Sequence, residues 1–395
     1  MPGDRTGDRR SRLAVSLLYV VMGFMIGSWG ARVPAIRAQI GAGDVSWGLA
    51  NTIAAGGDIV GLGIVVLLVS RASTRRLAVT GAAGILLAAP LLGFASSLTT
   101  VVGGMLLWYL SAQLLATPMG ALAMQVQTAY GRPLLSSFNA AFSVAVFLGA
   151  GVGTAAAALD VSPGVQFTVA NAVLGALLLG SLRWLPEEDQ PDAPPGASRR
   201  RIRDRFTPQL RLIAVLAFLV GLIASVSTQW SSLYVADELG GGAVLGGLCF
   251  ALMSAVGVLT LLVGDRLTAR YGGRRVLRAG VLLATTGLLL ALALDRPAVA
   301  VAGLTVFAVG IACNNAIVDQ FAASQPTVTP SEGISVSEMG QLPAFFLTPA
   351  LIGMLAGAVG LRFALLLPVA AMLAMAVLIG WLRHYPAEAP AASGR

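Results

Sequence analysis

The sequence has little charge and few of the side chains that carry most enzyme chemistry. Only 11% of its 395 residues are charged, lysine is absent, and the one histidine is His384. A soluble domain carries about a quarter charged residues, so a soluble globular protein is excluded. A single histidine near the end of the chain allows no Ser/His/Asp constellation within the apolar segments. No phosphate-binding loop motif occurs, and we predict neither an enzyme nor a cofactor.

Cysteine is also scarce. Cys249 and Cys313 each lie inside an apolar segment, without the spacing of a metal site. We interpret both as small packing residues and not as a disulfide. The sequence therefore predicts no bound metal.

Long apolar runs are what the sequence has in abundance. Hydrophobic residues make up 56% of the chain, and runs rich in Leu, Ala, Val and Gly recur along its whole length. Runs of about 20 such residues are typical of helices that cross a bilayer, and we count twelve. The predicted fold class is all-α, a polytopic membrane protein with the lipid bilayer as its surroundings.

The distribution of arginine predicts the orientation of these spans. The net charge of +8 would suit a nucleic-acid partner, but the arginines cluster in alternate loops, as the positive-inside rule requires. The other loops carry acids: Asp44, Asp160, Asp237, Glu238 and Asp295. We therefore predict no nucleic-acid partner, and a multi-pass protein of the bacterial cytoplasmic membrane with both termini in the cytoplasm.

The two halves of the chain resemble each other at an offset of 199 residues. Gly48 matches Gly247, and the triplet Arg71, Arg75 and Arg76 matches Arg270, Arg274 and Arg275. The segment between the halves is rich in proline and charge and is predicted to be a cytoplasmic linker. The predicted domains are residues 1–185 and 211–395, two pseudo-symmetric six-helix bundles, joined by a linker over 186–210.

One acid lies deep inside an apolar run. Asp58 is about 12 residues into the second predicted span, roughly 18 Å into a hydrocarbon layer about 30 Å thick. Intramembrane acids commonly mark ion or substrate pathways, which makes Asp58 a candidate proton-coupling residue. The alternative is a protonated acid that only packs against a neighbouring helix. Asp58 shares its helix face with Trp47 and Asn51.

Two further acids are more ambiguous. Glu338 is a second candidate for proton coupling, but Ser335 and Glu338 also fit a capping box at the start of the eleventh span. Asp319 is expected either to pair with Arg270 across a closed cytoplasmic gate or to be a simple interfacial acid.

Polar and aromatic residues inside the spans are candidates for lining a substrate cavity. An intramembrane Asn or Gln equally serves as a contact between helices, and tryptophans near a span end equally serve as interfacial anchors. The candidates are Tyr19, Trp29, Asn51, Trp108, Tyr109, Gln113, Asn139, Gln229, Trp230, Asn314, Asn315 and Gln341. The adjacent Asn314 and Asn315 cannot share one helix face.

Three stretches carry a resemblance to a known family. The segment from Gly264 to Arg275 reads G-D-R-L-T-A-R-Y-G-G-R-R and resembles the signature loop of the major facilitator superfamily. The stretches 28–36 and 131–139 are similar to a bacterial twelve-span subgroup of mostly unassigned substrate. The resemblance implies two bundles that rock about a central cavity. It also implies a cytoplasmic gate built from charged loop residues, here Asp265, Arg266, Arg270 and Arg71, with Asp319.

We therefore predict a secondary transporter, expected to act as a monomer, with a small-molecule substrate and protons as partners. Proton-coupled export of a drug or metabolite is favoured, because the cavity candidates are uncharged and partly aromatic. Proton-linked uptake of a sugar-like or other polar solute is the alternative that the Asn and Gln positions suit. A membrane sensor or scaffold that keeps the fold without transport is a third hypothesis.

Overall fold

The structure, a computed structural model, describes residues 5–68, 71–131, 134–186 and 207–383. These residues contain twelve helices long and apolar enough to cross a membrane and no strand, which confirms the predicted fold class. The spans are α1 Arg9–Ile40, α2 Asp44–Leu68, α3 Thr74–Gly93, α4 Leu98–Tyr130, α5 Leu135–Ala158, α6 Pro163–Trp184, α7 Pro208–Glu238, α8 Gly242–Tyr271, α9 Gly273–Ala293, α10 Pro297–Ala323, α11 Glu332–Val359 and α12 Leu361–Trp381. Most of the predicted linker, at 187–206, lies outside the described residues, as do Arg132 and His384.

Helices pack through glycines where their backbones come closest. A Cβ on Gly149 of α5 would lie 2.1 Å from the carbonyl oxygen of Phe24 in α1, and one on Gly81 of α3 would lie 2.4 Å from the amide nitrogen of Leu115 in α4. In the second half, Gly310 of α10 approaches Ala284 of α9 in the same way. Small residues at these positions give the van der Waals contact that holds helices together in lipid.

The first helix is longer than its apolar run predicts. The apolar run of the first predicted span covers about residues 13–31, whereas α1 continues through Pro34 to Ile40. It can do so because the two arginines in the extension find acceptors. Arg32 donates to the carbonyl oxygen of Val161, and Arg37 donates to Ala42 O at 2.8 Å.

Two predicted helix boundaries on the other side of the molecule are wrong. The segment that resembles the signature loop is helical as far as Tyr271, and the turn begins at Gly272, whose φ of +84° suits a residue without a Cβ. The capping box that begins α11 is formed by Thr329 and Glu332, not by Ser335 and Glu338. Pro330 follows Thr329 and starts the helix there, which leaves Glu338 more than two turns inside it.

The two halves touch at one end of the molecule, which we call the closed end. It carries the α1–α2 loop at residues 41–43 and the loop at 239–241. A Cβ on Gly48 of α2 would lie 2.4 Å from Pro349 O and 2.9 Å from the Cα of Gly353, both in α11. The hydroxyl of Thr52 donates to Phe346 O at 3.1 Å and accepts from the amide of Ala350 at 3.0 Å.

The other end, which carries the α2–α3 and α8–α9 turns, is the open end. Val66 lies 18 residues, or five helical turns, after Gly48 and therefore on the same face of α2, yet its side chain is 64% exposed. Helices α5 and α8 show the same change from contact to exposure. Gly247 of α8 approaches Thr154 of α5, whereas Asp265, which lies five turns further along the same face of α8, is exposed. The halves thus enclose a cleft that opens toward this end.

Candidate functional site

Asp58 points into the molecule. Leu49 and Leu67 each lie nine residues from it, two and a half helical turns, and so occupy the opposite side of α2. Those two leucines are 44% and 69% exposed, which marks their side as the outer surface. Asp58 therefore lies on the inner face of α2 and does not face lipid.

Two glycines bring α4 up to this acid. A Cβ on Gly57 would lie 2.7 Å from Leu106 O, and one on Gly61 would lie 2.9 Å from the Cβ of Gln113. Because both positions lack a side chain, α4 lies close enough for Gln113 Nε2 to donate to Asp58 Oδ1 at 3.3 Å. The local sequence G-G-D-I-V-G thus positions the acid and its partner together.

The surroundings of Asp58 are polar but uncharged. The Tyr109 hydroxyl lies near Asp58 and near the side chain of Gln229 in α7. Among the residues that the structure describes, Asp58 forms no ion pair. Asp58, Tyr109, Gln113 and Gln229 are all partly exposed. A carboxyl that faces an internal cleft without a permanent cation can take up either a proton or a positively charged ligand.

Three tryptophans meet above this group, toward the closed end. The ring centroid of Trp29 lies 6.4 Å from that of Trp47 with an interplanar angle of 20°, and 6.2 Å from that of Trp108. Trp47 is fully buried and Trp108 is 7% exposed, whereas Trp29 retains accessible surface. The interpretation of Trp29 and Trp230 as interfacial anchors does not fit, because Trp29 is held within this cluster and Trp230 is 2% exposed.

The other cavity candidates separate into buried and accessible side chains. Tyr19 stacks on Phe138 at 5.4 Å and is 6% exposed, so its contact is between α1 and α5. Asn51 is buried, with its amide donating to Trp47 O. Asn314 is buried and Asn315 is exposed, as their adjacency requires.

On the open side, two amides form a pair. Gln341 Nε2 of α11 donates to Asn315 Oδ1 of α10 at 2.7 Å. Asn139 of α5 is exposed on the opposing half. These three side chains contact the open part of the cleft and not the group around Asp58.

The charged candidates lie at the open end. Glu338 is exposed on α11, and Asp319 is near enough for the two carboxylates to interact. Arg270 lies over the Tyr271 ring at 5.3 Å, and no ion pair joins it to Asp319 in the part of the chain that the structure describes. Asp265, Arg266 and Arg71 are exposed. A cavity of about 920 Å³ in the second half is lined by residues that include Asp265, Asp319, Arg274, Arg275 and Cys313.

One cluster at the closed end was not predicted. Arg37 Nη2 binds Asp44 Oδ1 at 2.5 Å, and Arg37 Nη1 lies 3.3 Å from Asp237 Oδ2 at the end of α7. The first ion pair lies within the first half, and the second joins the halves. The positive-inside pattern placed the two acids on one side of the membrane, but it gave no reason to pair either with an arginine on that side.

These features define a class of protein. Two six-helix halves around a polar centre, in contact at one end and apart at the other, are the architecture of a secondary transporter that works by alternating access. The chain belongs to the Major Facilitator Superfamily, whose family model matches residues 13–331. That membership confirms the resemblance seen in the sequence and the prediction that the protein is a transporter and not an enzyme.

Several relatives and solved structures are similar over nearly the whole chain. The uncharacterized transporter y4wD of Sinorhizobium fredii is 27% identical over 87% of this chain and 90% of its own length. The membrane protein MosC of Rhizobium meliloti is 25% identical over 92% of this chain and 88% of its own. A crystal structure of the nucleoside transporter NupG (D323A mutant) superposes with a TM-score of 0.75 at 12% identity, covering 93% of this chain and 98% of that one. A bacterial homolog of the human lysosomal transporter Spinster, in an inward-facing and occupied conformation, gives 0.72 at 13% identity over 96% and 97%. The 12% and 13% identities to these two solved structures show a shared fold alone.

Proposed function

We propose that the protein is a proton-coupled transporter that exports a small organic molecule across the cytoplasmic membrane, with Asp58 as the coupling residue. One observation carries the proposal: Asp58 faces the cleft, hydrogen-bonds to the neutral amide of Gln113, and has no ion-pair partner among the described residues. An acid in this position gains or loses charge by exchanging a proton with the cleft.

The orientation follows from the positive-inside rule. With arginine-rich segments in the cytoplasm, the open end faces the cytoplasm and the closed end faces the outside. The structure then represents the conformer that accepts an internal substrate. Rocking of the two halves would open the other end, release the substrate and expose Asp58 to external protons.

Protonation of Asp58 is testable before any substrate is known. Infrared difference spectra of the purified protein, recorded between acidic and neutral pH, should contain carbonyl bands of the carboxyls that become protonated. Asp58→Asn should remove one component of these bands, whereas Glu338→Gln, on an exposed acid, should leave the Asp58 component in place. An unchanged band in Asp58→Asn would refute the assignment.

Coupling is tested in everted membrane vesicles. A compound exported in exchange for protons collapses the pH gradient when it is added, and a pH-sensitive dye reports the collapse. Wild-type vesicles should respond to substrates found by screening, and Asp58→Asn vesicles should not, although the variant should melt at a similar temperature. Uphill transport by Asp58→Asn would rule out the coupling role.

Proton-linked uptake of a polar solute is the second candidate function. The hydrogen-bonded pair of Gln341 and Asn315 on the open side favours it, since paired amides are suited to a hydroxyl-rich ligand. The same vesicles separate the two functions: an exporter accumulates its substrate in everted vesicles when their interior is acid, whereas a proton symporter expels it.

A further inference from the structure

The tryptophan cluster and the acid are connected through α4, which carries both Trp108 and the partner of Asp58. Trp29, Trp47 and Trp108 are three of the six tryptophans in the chain, drawn from three different helices. Trp108 precedes Gln113 by five residues of α4, about 7.5 Å along the helix axis, and Gln113 holds Asp58. This rise places Trp108 and the hydrogen-bond partner of Asp58 about one and a half helical turns apart on α4.

Only one indole ring of the cluster is substantially accessible to solvent. Trp47 and Trp108 are covered, while Trp29 lies between them and remains partly accessible. Aromatic rings attract one another at centroid distances of about 4.5–7 Å, and indole faces also attract cations. A flat aromatic ligand would extend the stack that these tryptophans already form.

The acid end of the site selects for positive charge. Lysine is absent from the sequence, and the two buried arginines of α1 lie toward the closed end, with no ion pair to Asp58 among the described residues. Arg32 donates to Val161 O, and Arg37 binds Asp44 and Asp237. A carboxylate without a permanent cation beside it would repel an anionic ligand and favour a cationic one.

Two buried polar atoms near the tryptophans lack partners. Trp47 Nε1 and Asn51 Oδ1 are both buried without a hydrogen bond in the described structure, and they lie one turn apart on α2. Buried polar groups are normally paired. These two atoms leave unused hydrogen-bonding capacity beside the cluster, and neither is accessible to a ligand in this conformer.

From these observations we propose that the substrate is a flat aromatic or heteroaromatic compound bearing a positively charged amino group, with its ring on Trp29 and its ammonium group at Asp58. The inference rests on the proposed function, because it assigns the substrate class of the same cleft. A carbohydrate-like ligand has neither the ring nor the charge, so a cleft built for such a ligand would prefer neither aromatic nor cationic probes.

Three matched probes separate ring from charge. Tryptamine has both, tryptophol replaces its amine with a hydroxyl, and 2-cyclohexylethylamine keeps the amine on a non-aromatic ring. Calorimetric titration of the purified wild-type protein should give a tryptamine affinity about tenfold or more above that of either other probe. Equal affinity for tryptamine and tryptophol, equal affinity for the two amines, or no binding of tryptamine would overturn the proposal.

Variants then assign each preference to a residue. Asp58→Asn should remove the advantage of tryptamine over tryptophol, and Trp29→Leu should remove its advantage over the cyclohexyl amine. Trp29→Phe retains a ring and should retain most of the latter advantage, while Trp381→Leu, at a 65% exposed position, should bind like the wild type. Retention of both preferences in properly folded Asp58→Asn and Trp29→Leu would also overturn the proposal.

The outcomes distinguish this proposal from the coupling role of Asp58. Selective tryptamine binding together with uphill transport by Asp58→Asn would refute proton coupling and leave the substrate class standing. Loss of the Asp58 infrared component in Asp58→Asn, together with no tryptamine binding by the wild type, would refute the substrate class and leave the coupling role standing.

Discussion

The ion pair between Arg37 and Asp237 should control how readily the closed end opens. Arg37 also binds Asp44, but both of those residues belong to the first half and move together. Of the two ion pairs that Arg37 forms, only the one with Asp237, at 3.3 Å, must break when the halves separate at this end. Asp237→Asn removes that attraction and leaves the Arg37–Asp44 pair in place.

The magnitude follows from the exposure of the two partners. The Arg37 side chain is 9% exposed and that of Asp237 is 41% exposed, so the pair is partly screened by solvent. Fully exposed pairs contribute about 0.2–1 kcal/mol, and we expect the upper end of that range, about 1 kcal/mol, for this pair. Asp237→Asn should then raise the ratio of the outward-opened conformer to the closed one about fivefold.

Distances between spin labels measure this ratio. Leu159 and Val359 are exposed at the closed end, one in each half, and each is changed to Cys for labelling in a background without Cys249 and Cys313. Pulsed electron resonance should show a larger long-distance population in Asp237→Asn. The matched control is Asp295→Asn, which breaks a 2.6 Å ion pair to Arg362 at the same end but within the second half. An unchanged distribution in Asp237→Asn, or an equal shift in the control, would refute the reasoning.

Two glycine substitutions test the packing. Gly149→Ala should lower the melting temperature, because its Cβ would lie 2.1 Å from Phe24 O. Overpacking of this kind destabilises a protein by about 1–3 kcal/mol. The control is Gly151→Ala, whose Cβ meets nothing within 4 Å and which should melt like the wild type. Gly48→Ala places a Cβ 2.4 Å from Pro349 O between the halves, so it should increase the outward-opened population in the same spin-label measurement, and an unchanged population would contradict the contact.

The twelve spans were predictable because each is specified by a continuous run of apolar residues in the sequence. Each apolar run is long enough to specify a helix without knowledge of its neighbours. Helix ends were less predictable, because they depend on partners elsewhere. Nothing near Arg32 indicates that α1 can continue past it; its acceptor is Val161 O, 129 residues away.

The site was predictable only in part, because several of its contacts join residues that are far apart in the sequence. The depth of Asp58 is a property of one run, and its inner-face position follows from that run once the outer face of α2 is known. The meeting of Trp29 with Trp47 and Trp108 depends on how three helices pack, and no periodicity within any one of them reveals it. The ion pair of Arg37 and Asp237 joins residues 200 positions apart and required the structure.

Asp58 has no ion-pair partner among the described residues. In the proposed mechanism, this explains how one residue couples the movement of a proton to the movement of the substrate. While the open end is wetted, a charged Asp58 is stabilised by water in the cleft. Closing that end removes the water, and an unpaired carboxylate then carries a desolvation penalty of several kcal/mol. The transporter can change conformation at low cost only if a proton or a cationic ligand has first neutralised the acid. Because Gln113 and Tyr109 bring no positive charge, the proposed mechanism takes the neutralising group from one side of the membrane and releases it on the other.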